Sequence, residues 1–77
     1  MQVTVLLFGS LTDITGVNRL VLDNVPDTHT LIQQLNERYP GLQAAHCLLA
    51  VNYELVKDNT PLPENAEVAL LPPYSGG

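Results

Sequence analysis

Basic residues are scarce in this chain: Lys and Arg together number three, against eight Asp and Glu, for a formal net charge of −5. Binding along a phosphate backbone needs clustered Lys and Arg, and here they stand apart at Arg19, Arg38 and Lys57. The composition argues against a nucleic-acid partner and makes a basic protein surface the better match. Cysteine is scarcer still. Cys47 stands alone, so no internal disulfide can form, and a small fold without such staples suits a reducing compartment. Long apolar runs are also missing. Nothing approaches the ~20 residues that span a bilayer, and the opening "MQVTVLLFGS" lacks the basic segment of a secretory signal and breaks at a glycine. The expectation is a cytoplasmic protein with neither a nucleic-acid nor a membrane partner.

The residues of a self-contained active site are missing too. His29 and His46 have no metal-ligand spacing, and a structural zinc site wants more Cys and His at short intervals. Cys47 would need exposure and a base such as His46 to act as a nucleophile, yet adjacent strand residues point to opposite faces. Beside "LLAV", a small buried thiol is the other reading of Cys47. The carboxylates are spread along the chain, and Glu64 and Glu67 flank a turn where they can keep a sheet edge soluble. No P-loop or dinucleotide fingerprint occurs. The expectation is no metal and no tightly bound cofactor, so any reaction must borrow chemistry from a partner or use the chain terminus.

What is present patterns well. At 77 residues there is room for one small domain. "QVTVLLF" reads as a first strand whose continuous apolar end suits burial on both sides, as in mid-sheet. "GSLTDITG" reads as a short helix with Leu11 and Ile14 on one face, Ser10 at its start and Gly16 at its end. "RLVL" is a brief second strand. "THTLIQQLNERYP" is the clearest helix: Thr28 is the expected N-cap, with Asp27 adding charge near the positive end. Its buried stripe runs through Leu31, Leu35 and Ile32, with Gln33, Gln34, Asn36 and Glu37 toward water, and Pro40 and Gly41 stop it. "CLLAVN", a turn near Asn52 and Tyr53, and "ELV" read as strand, turn and return, and "EVALLPP" as a terminal strand ended by its prolines. The sum is an α+β domain with one mixed sheet and a helix packed across it, a β-grasp or ubiquitin-like topology over residues 1–73. Residues 74–77 then form a flexible C-terminal tail.

That tail, "YSGG", is the functional candidate. Gly76 and Gly77 lack Cβ atoms and can pass a narrow channel. The carboxylate of Gly77 is a reactive handle, and Pro72 and Pro73 restrict the direction in which the tail leaves the sheet. A stiff base and a slender tip can present one atom to another protein's active site.

With "LFGSLTDITG", "TLIQQL", "LLAVN" and "LPENAEVALLPPYSGG" in this order, the chain resembles the small subunits of molybdopterin synthase. These belong to the sulfur-carrier and ubiquitin-like superfamily. Tyr74 stands where that family usually has a valine, and Thr12 where it often has arginine. The resemblance implies that an E1-like adenylyltransferase uses ATP to adenylate Gly77, and that sulfur then replaces the adenylate to leave a C-terminal thiocarboxylate. The tail, Tyr74, Ser75, Gly76 and Gly77, then enters the active site of a large synthase subunit and donates sulfur to cyclic pyranopterin monophosphate, building the molybdopterin dithiolene. It further implies a heterotetramer of large and small subunits, and partner contacts at Phe8, Leu55 and Leu71, each of which composition alone would place equally well in the core. Two other outcomes stay open: a sulfur carrier for thiamine thiazole synthesis, and a ubiquitin-like protein modifier or tRNA-thiolation carrier.

Overall fold

Alternation of apolar and polar residues, period two in the strands and near 3.6 in the long helix, builds the whole molecule around one core. A computed structural model of the chain describes residues 2–73. The expected tail, residues 74–77, lies outside the described residues. The elements are β1 (Gln2–Leu7), α1 (Leu11–Thr15), β2 (Arg19–Asp23), α2 (Thr28–Arg38), two 3-10 turns (Pro40–Leu42 and Ala44–His46), β3 (Leu48–Val51), β4 (Glu54–Val56) and β5 (Ala66–Leu71). The five strands form one sheet in the order β2-β1-β5-β3-β4. β1 and β5 run parallel, and the other pairs are antiparallel. This is the mixed β-grasp sheet expected from the sequence.

Every strand sends its core residues to one face. Val3, Val5 and Leu7 of β1 join Leu22 of β2, Leu49 and Val51 of β3, and Val68 and Leu70 of β5 in a single buried cluster. Leu31 and Leu35, one helical turn apart on α2, close that cluster, with Ile32 and Tyr39 half-buried at its edge. β1 does lie inside the sheet, between β2 and β5. It is not buried on both sides, however: Thr4 and Leu6 stay half-exposed, because the core covers one face only.

The start of α2 differs from the sequence reading. Asp27, not Thr28, is the N-cap: it is extended (φ −152°) and its Oδ1 accepts the Thr30 N–H at 2.9 Å. Thr28 is already helical and buried. Its hydroxyl donates to Asn59 Oδ1 at 3.2 Å and accepts the Thr60 N–H at 3.0 Å. Asn59 Oδ1 also accepts the His29 N–H at 2.9 Å, so a residue from the polar loop satisfies a second donor at the helix start. The same four backbone donors are open to either neighbour, and Thr28 lost the cap because the loop recruited its hydroxyl. At the far end Tyr39 N–H closes on Leu35 O at 2.8 Å, and Pro40 turns the chain as expected.

In α1, Gly16 ends the helix in the left-handed region (φ 77°), its N–H donating to Thr12 O at 2.8 Å. Ser10 makes no side-chain cap. Leu11 is buried, but Ile14 stays exposed on the wall of an open cleft that it shares with Leu11, Gly41 and Leu42.

Candidate functional site

β5 carries the chain toward its terminus, and it is a central strand. It is paired to β1 on one side through five register positions and to β3 on the other through four. Anything pulled by the segment after Pro73 is therefore anchored on a strand held from both sides. Beyond Leu71, Pro72 has no N–H to continue the ladder. The Phe8 N–H still reaches Leu70 O at 3.3 Å, holding the end of β1 against the end of β5. Gly9 follows with φ +58° and lies against Pro72, where a side chain would have little room. Of the tail candidates, Tyr74, Ser75, Gly76 and Gly77 all lie outside the described residues.

The residues expected at a partner surface come together on the side of the sheet away from the core. Because side chains alternate, register alone sets which residues share this face. Leu71 pairs with Leu48, and Phe8 continues β1 just past the Leu7–Leu70 pair. In the next row Leu6 faces Ala69, Ala69 faces Ala50 and Ala50 faces Leu55, with Arg19 beyond Leu6 on β2. A third row holds Val21, Thr4 and Glu67. Phe8, Leu48 and Leu55 are respectively 45%, 50% and 68% exposed. Leu71 is half-buried. The face is thus apolar beside the root of the tail and turns polar with distance from it. The sequence reading named Phe8, Leu55 and Leu71 but missed Leu6, Leu48 and Val21. The signal was available in the alternation of β1, β2 and β3, but without strand order it could not be assigned to a face.

The far edge of this face is fixed by the turn between β3 and β4. Asn52 Oδ1 accepts the Glu67 N–H at 2.9 Å, while the Asn52 N–H donates to Glu67 O at 2.8 Å. The Tyr53 hydroxyl donates to Glu67 Oε1 at 2.8 Å. That bond and the carboxylate charge push the Tyr53 hydroxyl above its usual pKa, since ionising it would give up the donor and set two negative charges side by side.

Cys47 takes its structural reading. The thiol is half-buried with Sγ 3.8 Å from Gln43 O, and burial raises its pKa, which works against the thiolate a nucleophile requires. His46 is exposed in the second 3-10 turn. Both border an open cleft at the root of the tail, with Leu11, Ile14, Leu42 and Pro72. Among the described residues, no three of His, Cys, Asp and Glu cluster as a metal ion would need. Nor is any helix there long and apolar enough to cross a membrane.

Comparison with known proteins agrees with this architecture. The molybdopterin synthase sulfur carrier subunit of Chlamydomonas reinhardtii is 35% identical over 83 aligned positions covering all of both chains. The small archaeal modifier protein 1 of Methanosarcina acetivorans has the same fold, with a TM-score of 0.84 at 23% identity over 99% of this chain and 96% of that one. A complex of subunits 1 and 2 of the molybdopterin-converting factor from Helicobacter pylori contains a chain that matches over the full length of both, with a TM-score of 0.67 at 27% identity. The sequence model of the ThiS family matches residues 5–77. With that match and a full-length relative sharing a third of its residues, the chain belongs to the ThiS family and stands among its molybdopterin synthase sulfur carrier subunits.

Proposed function

We propose that this protein is the sulfur carrier subunit of a molybdopterin synthase, working through the carboxylate of Gly77. An E1-like enzyme attaches AMP from ATP to that carboxylate and releases pyrophosphate. Adenylation turns a poor leaving oxygen into a displaceable one, and a sulfur nucleophile then takes its place to leave a thiocarboxylate. Held in the large subunit, that sulfur attacks cyclic pyranopterin monophosphate, and two such deliveries make the dithiolene. Gly76 presents no Cβ to the entry channel, Ser75 directs the tip through backbone or hydroxyl contacts, and Tyr74 touches the partner at the channel mouth. Acid and base groups belong to the large subunit, as does the binding of the pterin. The work takes place in the cytoplasm, in a heterotetramer of two small and two large subunits.

The observation that carries this reading is the full-length relationship to a protein named for that role, in a family match that runs through Gly77. The geometry supports it. The chain through Pro73 continues a central strand beside an apolar face containing Phe8, Leu48, Leu55 and Leu71, so one partner can grip the face and receive the residues that follow. Fixing the reactive end in this way converts a bimolecular encounter into an intramolecular one.

Intact mass after incubation with ATP, a cognate E1-like enzyme and a sulfur donor tests the carrier step. Replacement of one oxygen by sulfur is expected in the full chain and not in a chain lacking Gly77. Adding the large subunit and cyclic pyranopterin monophosphate should then yield molybdopterin. A sulfur-loaded chain that serves only thiazole synthesis, or a ladder of protein conjugates, would overturn the assignment.

A further inference from the structure

The turn joining β3 to β4 places an aromatic residue where the backbone favours glycine. Asn52 (φ 48°) and Tyr53 (φ 72°) are both left-handed, the two-residue connection whose second position is ordinarily Gly. Asn tolerates that region; for a bulky side chain it is an outlier, because the Cβ crowds the next carbonyl. Burial does not compensate, since Tyr53 is 87% exposed. Nor does the turn need the Tyr53 hydroxyl, because Asn52 already ties it to both main-chain groups of Glu67. Strain kept at an exposed aromatic points to something outside the fold.

The partner of that hydroxyl indicates what. Glu67 lies on the outward face of β5, next to Thr4 and one row from Ala69. Asp23 is at the margin of the face, opposite Gln2, which leaves Glu67 as the carboxylate within it. Among the described residues, its side chain accepts a hydrogen bond from Tyr53. Arg19, the basic residue of the face, is on β2, with β1 between it and β5. Tyr53 therefore orients Glu67 without neutralising it. The pair borders the apolar rows that contain Ala50, Leu55 and Leu48.

We propose that Tyr53 and Glu67 form a cation-receiving pair, in which an arginine guanidinium of the docked partner binds the Glu67 carboxylate and stacks on the Tyr53 ring. A planar guanidinium can make both contacts, donating to the carboxylate while presenting its face to an aromatic. The apolar rows beside it exclude water and strengthen the charged bond. The surface it fits is apolar with a basic side chain at one edge, complementary to a chain of net charge −5. The proposal rests on the functional reading above, with the large synthase subunit as that partner.

Calorimetric titration of the large subunit from the same organism into the wild-type chain, Tyr53→Asn and Glu67→Gln, at low and high salt, tests it. Tyr53→Asn keeps a residue suited to the turn and should melt no lower than wild type. Each variant is expected to bind at least tenfold more weakly at low salt, and Glu67→Gln should flatten the salt dependence. Wild-type affinity in both folded variants would overturn the proposal and leave the functional reading standing. A folded wild-type chain that does not bind the large subunit would overturn both.

Discussion

Gly9 and Pro72 meet at the end of the β1–β5 ladder, where a Cβ on Gly9 would stand 3.2 Å from Pro72 Cγ. Gly9 also holds φ +58°, so an added side chain meets backbone strain and a rigid proline ring together. Gly9→Ala is expected to destabilise the fold by about 1–2 kcal/mol from the left-handed backbone alone. It should also push Pro72 off its path and lower sulfur transfer more than that loss of stability explains. Thermal melting beside a transfer assay checks this, and transfer that only follows the folded fraction would show that the contact does not steer the tail.

Leu31 and Leu55 should separate folding from docking. Leu31 is fully buried in the core, and Leu55 is 68% exposed on the outward face. Leu31→Ala should cost about 2–5 kcal/mol, a large share of the whole stability of a domain this small. Leu55→Ala should change stability by less than about 0.5 kcal/mol while weakening binding to the large subunit. Urea denaturation and a binding titration on both variants make the comparison. Equal losses of stability would place Leu55 in the core after all.

Asp27 gives a pH signature. Its carboxylate is held below the usual range, first by the Thr30 backbone hydrogen bond and then by the Thr30 and Asn59 side-chain interactions. A depressed folded-state pKa adds stability above the ordinary aspartate value, and that stability disappears as pH falls through the folded one. Asp27→Asn keeps a good capping group without a titrating charge. The urea midpoints of the wild type and this variant should therefore run parallel at neutral pH and converge only below the ordinary aspartate range. A difference that persists undiminished into strong acid would show that the cap does not titrate.

Local patterns determined much of this protein. The strands at "QVTVLL" and "AEVALL", the spacing of Leu31 and Leu35, Pro40 after α2 and the Asn52–Tyr53 turn all appear where the residues alone place them, although β1 is buried on one face and not on both. Each depends on neighbours within about one helical turn or one pleat. The "SGG" end stood out in the sequence alone, because Gly76 and Gly77 lack Cβ atoms, but it lies outside the described residues. Tertiary structure decided whatever depends on residues distant in sequence. Asn59 reached back to the start of α2 and moved the cap from Thr28 to Asp27. Strand order brought Leu6, Leu48 and Leu55 onto the face that Phe8 and Leu71 share. A strand's sequence shows that alternate residues face opposite ways, but only the packed helix decides which set is left to meet a partner.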